Sequence, residues 1–450
     1  MLNLNQLKNL YTSSPSWIKS IYASIPFAIR NGLQYREWRT FLESNLHVDE
    51  YEVLKLKETI LYAYEHTKYY KNLFDNNQIS PYEIHTKKDL QGIPLLTKKL
   101  IRENFDNLQV ANYPKYKKFS ITTGGTTGYP VTFYQSKNVW KKELAFVYDY
   151  FEQHGYKASF LKATFKLMNF KDFEKGVFWE KDYVSNSINF SSLHLNKYTV
   201  SKYVQKLNEL KPLFFHVYPS SILFLMNNMI EQGLALNYYP SCIFLVSEGY
   251  TADSIDNIRG FFNCKVSSFY GHSERMIFAP SITLELDVYQ IDKRYGLFEL
   301  IDDNRKQITK NNITGNIIGT TFDNYAMPLI RCETDDLVKY LDYKSGKISM
   351  IDSLRNHVYI DGKNNIKIST ISIYVTKSSN QVSIWQLYQK KPGQLIVLIV
   401  AKKDFTQIDK DKILLSLKND LGDFLDCDIK LIDKPFLTAR GKIRKLIKDY

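Results

Sequence analysis

One loop, residues 120–130 with the sequence Ser-Ile-Thr-Thr-Gly-Gly-Thr-Thr-Gly-Tyr-Pro, constrains this chain more than any other stretch, because four threonines and three glycines crowd into it. Glycine lets backbone N–H groups approach a ligand and adopt positive φ. Threonine hydroxyls add donors suited to phosphate oxygens. A loop of this make-up forms a nest for a polyphosphate. No Gly-Lys-Ser/Thr follows, so it is not the phosphate loop of the P-loop NTPases. The competing reading is a flexible surface turn, and composition alone leaves the two balanced.

The 450 residues suffice for two or three domains with cores of their own. Cys242, Cys264, Cys332 and Cys427 stand far apart with no CxxC, which indicates neither a zinc site nor a disulfide framework. A reduced, cytoplasmic setting is the expectation. The net charge of +13 comes from scattered lysines rather than a stripe, which argues against nucleic acid as a partner. It suits a polyanionic substrate such as ATP, or an anionic membrane face. Residues 17–29 are apolar but carry Lys19 and Pro26 and lack a cleavage-site context. They are expected to dock on the core as a helix, with peripheral membrane contact as the alternative. The aliphatic run 395–401 is far too short to span a bilayer.

Strands and helices alternate along much of the chain. Val53, Leu56, Ile60 and Tyr64 recur at helical spacing. Thr97 reads as an N-cap for a helix over 98–104. A strand is expected at 131–134, a helix at 140–152, a buried strand at 241–247, a helix at 253–262 and a strand at 265–270. That succession predicts an α/β core. From 295 to 322 short strands with Gly and Asn turns follow. A polar segment then precedes a compact tail, with a hairpin (382–388 and 395–401) and a helix at 411–421.

Three further segments carry chemistry. Phe269-Tyr270-Gly271-His272-Ser273-Glu274-Arg275 ends a strand with an aromatic ring, a hydroxyl and a carboxylate. These suit a purine, a phosphate and Mg²⁺, which takes one or two carboxylates plus phosphate oxygens. In Arg331-Cys332-Glu333-Thr334-Asp335-Asp336, acidic residues after a strand can accept from ribose hydroxyls. Thr438-Ala439-Arg440-Gly441-Lys442 places a lysine beside glycine near the C-terminus, able to neutralise a carboxylate and a phosphate together. Each also has a bland reading: a capping Glu, a solvated acidic turn, a basic tail.

Their order carries more than any one of them. The Gly/Thr loop, Tyr-Gly-x-Ser-Glu, Arg-x-x-Thr-x-Asp and the terminal Gly-Lys, in this sequence, resemble the adenylate-forming superfamily. Lys68-Tyr69-Tyr70, Ile93-Pro94-Leu95-Leu96-Thr97-Lys98, Tyr218-Pro219-Ser220 and Tyr270-Gly271-His272-Ser273-Glu274-Arg275 are similar to its phenylacetate-CoA ligase-like branch. Within that branch they resemble the CapK-type proteins of bacterial capsule and O-antigen gene clusters. The resemblance implies an α/β N-terminal domain over 1–351, a hinge at 352–362 and a small, mobile α+β domain over 363–450 that carries Lys442.

The resemblance also implies roles. Thr122, Thr123, Gly124, Gly125, Thr126, Thr127 and Gly128 would hold the β- and γ-phosphates of ATP. Tyr270, with Gly271 and His272 beside it, would pack on adenine, Ser273 would touch the α-phosphate and Glu274 would ligate Mg²⁺. Glu248 would line the nucleotide and acyl pocket, and Asp336 would bind the ribose. Lys442 would bridge substrate carboxylate and α-phosphate. Arg355 is the remnant of a Gly-Arg-x-x-Asp hinge whose Asp has no counterpart here, and Cys332 stands where Tyr is usual. The implied reaction activates a small carboxylic acid as acyl-AMP and passes it to CoA, a carrier protein or an amino-sugar. The rival from another class is a non-catalytic relative that binds nucleotide within a polysaccharide-assembly complex. A glycosyltransferase would leave the terminal Gly-Lys without a purpose.

Overall fold

The structure is a computed structural model that describes residues 14–123, 131–166, 170, 173–248, 250, 252–282, 285–350, 359–370, 373, 375, 378–379, 381–436 and 446–449. At its centre lies a sheet with twelve strands among the described residues. In one half, β3 (Lys162–Lys166), β5 (Ser187–Ser191), β6 (Phe214–Val217), β7 (Cys242–Leu245) and β8 (Lys265–Gly271) run parallel in the order β5-β3-β6-β7-β8. β4 (Trp179–Asp182) closes the edge antiparallel to β5. Parallel strands are covered on both faces, and all four residues of β7 are buried. Alternation along the strands divides them. Phe215, Ile243 and Val266 pack with the helices Val200–Leu210, Pro219–Glu231 and Ala252–Phe262. Phe214, Cys242 and Phe244 pack with the helix Lys137–Gln153 on the other face.

Past β8 the sheet becomes antiparallel, through β9 (Phe278–Ile282), β10 (Glu285–Gln290), β14 (Lys347–Met350), β13 (Cys332–Asp342), β12 (Thr314–Thr321) and β11 (Gly296–Ile301). A Cβ on Gly319 of β12 would stand 2.7 Å from the Cβ of Met276, so glycine is what lets this strand close over the segment that follows β8. β1 (Lys118–Thr123) and β2 (Val131–Ser136), which flank the Gly/Thr loop in sequence, form a separate antiparallel pair. Lys142, 1 % exposed, ties the helix Lys137–Gln153 to Asp323 at 2.7 Å, and Lys55 reaches the same carboxylate at 2.8 Å. Burial pushes the Asp323 carboxyl up, but the two ammonium groups outweigh it and hold it below the usual carboxylate range.

The C-terminal unit begins with β15 (Tyr359–Asp361), paired with β16 (Lys367–Ser369). The expected hairpin forms between β17 (Val382–Gln389) and β18 (Gln394–Ala401). β19 (Asp426–Leu431) and β20 (Leu446–Lys448) flank it in parallel. The helix Gln407–Leu421 starts before residue 411 because Thr406 and Asp409 form a capping box. It packs Ile413 and Leu417 against Trp385, Val397 and Ile399. Leu193, from the segment after β5, enters this same core. The α/β class with an α+β C-terminal unit is as expected. The N-terminus is not: the helix Ser16–Ser24 keeps Trp17 64 % and Ile21 60 % exposed instead of docking them on the core. No helix among the described residues is long and apolar enough to cross a membrane.

Candidate active site

β8 is where the sheet changes sense, parallel to β7 and antiparallel to β9. In open α/β sheets, the crevice at the carboxyl ends of the strands at such a switch is where ligands bind. Tyr270 and Gly271 end β8 there, and the next four residues turn back, closed by an Arg275 N–H donating to His272 O at 3.0 Å. Arg275 takes φ 53 to make that turn. Within it, His272 Nδ1 lies 3.1 Å from Glu274 Oε2. Burial pushes the Glu274 carboxyl up, but the His272 ring and the Lys98 ammonium outweigh it and hold it below the usual carboxylate range. Glu274 is thus kept as an anion, the form a divalent cation needs.

The β1–β2 hairpin docks on this turn. Gln135 Nε2 of β2 donates to Ser273 O at 2.7 Å. Ser136 N donates to Asn324 Oδ1 at 3.1 Å, and Asn324 Nδ2 donates to Tyr134 O at 3.0 Å. Thr122 and Thr132 face each other across the hairpin, with hydroxyls 3.0 Å apart, and Thr123 pairs with Val131 at its end. Gly124, Gly125, Thr126, Thr127 and Gly128 lie outside the described residues.

Asp336 is not in a turn after a strand, as the sequence suggests, but inside β13. Asn316 pairs with Leu337 and Ile318 with Glu333, so Ile317 alone faces Thr334, Asp335 and Asp336. Such a bulge re-aims a side chain. Here Asp336 Oδ2 accepts from the Tyr270 hydroxyl at 2.8 Å, joining segments far apart in sequence. The Tyr270 ring itself is 2 % exposed, so a base could meet its face only where neighbouring side chains uncover it. Tyr270→Phe removes a charge-assisted bond. It is expected to raise KM for ATP roughly tenfold with kcat little changed, read by ATP titration of pyrophosphate exchange.

Arg331 and Lys98 were not among the expected site residues. Arg331, 4 % exposed, pairs with Glu299 at 3.2 Å and donates to Leu90 O at 2.9 Å and Ile93 O at 2.6 Å. It is a staple holding the segment before Thr97 to the sheet. Leu96 N donates to Arg331 O at 2.9 Å, and Glu333 N to Leu96 O at 3.1 Å. Beside this bridge, Thr97 caps the helix Lys98–Glu103, accepting from Leu100 N at 3.2 Å. From the start of this helix the Lys98 charge lowers the Glu274 carboxyl. The sequence signal for Lys98 was its place directly after the cap in the Leu-Leu-Thr-Lys run.

Glu248, 5 % exposed, accepts from Ser220 N at 3.0 Å and Ser220 Oγ at 3.1 Å, in the first turn of the helix Pro219–Glu231. What the structure displays is a capping carboxylate; its nucleotide role rests on the resemblance alone. Tyr359 of β15 reaches the same spot. Burial, then the Glu248 charge, push its hydroxyl pKa up, against a bond with Ser220. Arg355, with most of the expected hinge, and Lys442 lie outside the described residues.

Among the buried polar atoms at the β8 turn, His272 Nε2 and Gln135 Oε1 have no hydrogen-bond partner. Buried polar groups are seldom left this way. A donor from metal-bound water or an adenine amino group fits Gln135, and a polar group of a bound nucleotide fits His272 Nε2. No group of three or more His, Cys, Asp and Glu converges to hold a metal among the described residues. A cation here would take Glu274 together with phosphate oxygens of the nucleotide. The residues fit Mg·ATP.

Comparison with known proteins agrees on the fold. 2-Hydroxyisobutyryl-CoA ligase in the postadenylation state with R3-HIB-AMP superposes with a TM-score of 0.55 at 15% identity, over 89% of each chain. The same ligase with 2-HIB-AMP and CoA in the thioesterification state gives 0.52 at 15% identity, over 89% of each chain. The fold is that of the adenylate-forming CoA ligases. Residues 358–449 match the CapK C-terminal domain. The chain is 26% identical to Protein CapK of Staphylococcus aureus over 98% of this chain and 99% of the relative. It is 21% identical to phenylacetate-coenzyme A ligase of Aromatoleum evansii over 87% and 92%. Its similarity therefore runs to the phenylacetate-CoA ligase-like branch and, within it, to the CapK-type proteins.

Proposed function

We propose that the chain is an ATP-dependent, AMP-forming acid ligase. It activates a small carboxylic acid as acyl-AMP and passes the acyl group to a thiol, CoA or a carrier protein, or to an amino-sugar. The observation that carries this reading is the convergence at the end of β8. Tyr270 meets Asp336, Gln135 meets the Ser273 backbone, and Lys98 bears on Glu274. A carboxylate oxygen of the acid bonds to the α-phosphorus, and the bond from that phosphorus to the pyrophosphate oxygen breaks. Both reactants are anionic, so the site must offset their repulsion. In this reading Lys98 and the N–H groups of the Gly/Thr loop would neutralise the phosphates, Asp336 would hold the ribose, and Lys442 would span the carboxylate and α-phosphate. Mg²⁺ carried in with ATP and ligated by Glu274 would supply further neutralisation of the phosphates.

In this reading residues 1–351 bind nucleotide and acid, and residues 363–450 bring Lys442, turning about the segment between them. The setting is cytoplasmic, and the resemblance to the CapK-type proteins supports surface-polysaccharide assembly as the destination of the product. The altered hinge motif supports a second reading, in which nucleotide is bound without turnover. Carboxylate-dependent exchange of pyrophosphate into ATP, screened over aromatic, fatty and amino acids with Mg·ATP, separates the two. Exchange with any acid supports the ligase. Thermal stabilisation by ATP with no exchange for any acid supports binding alone, and absence of both sinks each reading.

A further inference from the structure

The N-terminal helices display an apolar surface that the catalytic reading does not use. In the helix Ser16–Ser24, no described residue is buried, although Trp17, Ile18, Ile21 and Tyr22 fall on one helical face. Beyond this helix, Ile25 in its extended C-cap, Ile29 in the short helix Phe27–Arg30 and Leu33 at the start of the helix Gly32–Glu43 are exposed as well, Ile29 at 58 % and Leu33 at 62 %. The segment is nonetheless fastened to the body. Phe27 stacks on Tyr148 at 4.5 Å and meets Tyr35 edge-on at 5.5 Å. Arg30 donates to Val184 O at 3.0 Å, and Lys141 donates to Asn31 Oδ1 at 3.0 Å. These anchors spend one aromatic ring on the core and leave the larger apolar set facing out. A helix of nine residues is not stable in water on its own propensity, and its apolar face gains from being covered.

Charge selects the cover. Residues 1–36 hold Lys8, Lys19, Arg30 and Arg36 and no carboxylate; the first is Glu37. A second copy of this chain would set like charge against like, whereas an anionic surface complements it. Trp and Tyr on an apolar face flanked by cations compose a helix that lies in the plane of a bilayer interface. We propose that residues 16–33 dock the protein on an anionic membrane surface, with Trp17, Ile21, Ile25, Ile29 and Leu33 entering the headgroup region and Lys19 and Arg36 meeting lipid phosphates. This inference stands apart from the ligase reading, since neither requires the other.

The test is co-sedimentation of the full chain with phosphatidylcholine vesicles, with and without phosphatidylglycerol. The protein is expected to pellet with the anionic vesicles, and less so as salt rises. Arg36→Glu is expected to weaken binding at least about fivefold, the worth of one cation at such a surface. Trp17→Ser with Ile21→Ser is expected to weaken it about tenfold or more. These side chains are exposed, so the unfolding temperature of the variants should stay at the parent value. Absence of pelleting, equal pelleting with neutral vesicles, or unaltered binding by the double variant would overturn the proposal. So would a parent dimer that the double variant splits, because the face would then join two copies.

Discussion

Arg331→Ala is expected to destabilise the protein by about 3–5 kcal/mol, the cost of removing one partner from a buried ion pair. The guanidinium binds Glu299 and the backbone carbonyls of Leu90, Gln91 and Ile93, and it is 4 % exposed. Glu299 is 1 % exposed. Burial already pushes its carboxyl up, against the lowering pull of Arg331, so without the arginine it takes a proton or stays as an unpaired charge. The carbonyls of Leu90 and Ile93 also lose their donor, which loosens the segment that positions Lys98. Urea unfolding followed by circular dichroism measures the change. Arg331→Met with Glu299→Leu is expected to recover most of it, because that pair removes both charges together. A loss below about 1 kcal/mol for the single variant would show that the pair behaves as an exposed one.

Lys442→Ala is expected to slow adenylation about a hundredfold, on the order of 3 kcal/mol, by analogy with removing one donor aimed at transition-state charge. The ammonium would be paired with the carboxylate and α-phosphate only as they react, so the loss falls on the rate and not on ATP affinity. Carboxylate-dependent pyrophosphate exchange reads the rate, and the midpoint of ATP-induced thermal stabilisation reads the affinity. Exchange at the parent rate would remove Lys442 from the mechanism. A loss confined to ATP affinity would make it a binding residue.

Local signals in the chain translated well where they were self-contained. The Thr97 cap, the β17–β18 hairpin and the apolar run of β7 each draw on neighbours in sequence. The strands β3 and β5 escaped the same reading because their polar residues mask them. Lys162 is 5 % exposed, yet it is satisfied by Ser185 O at 2.7 Å and by the Tyr148 and Tyr156 hydroxyls at 3.2 Å. Strand preference is largely a matter of such tertiary partners, which no window along the chain contains. Asp336 looked like a turn residue for a related reason. Its bulge is a relation between two strands, visible only once β12 supplies the residue it is counted against.

The chain alone determined the chemistry on offer: a loop rich in glycine and threonine, one carboxylate in a Tyr-Gly-His-Ser-Glu turn, an aspartate and a terminal lysine, in the order of an adenylate-forming ligase. Residue type and order suffice for that, since donors, acceptors and charges are properties of side chains. Only the tertiary structure decided which of them lie together. It put Tyr270 on Asp336, brought the Lys98 charge to bear on Glu274, turned Glu248 to a helix cap, made Arg331 a buried staple and left Trp17 and Ile21 facing outward. Burial and electrostatic pairing depend on distance in space, and that distance is set by how the two halves of the sheet meet at β8.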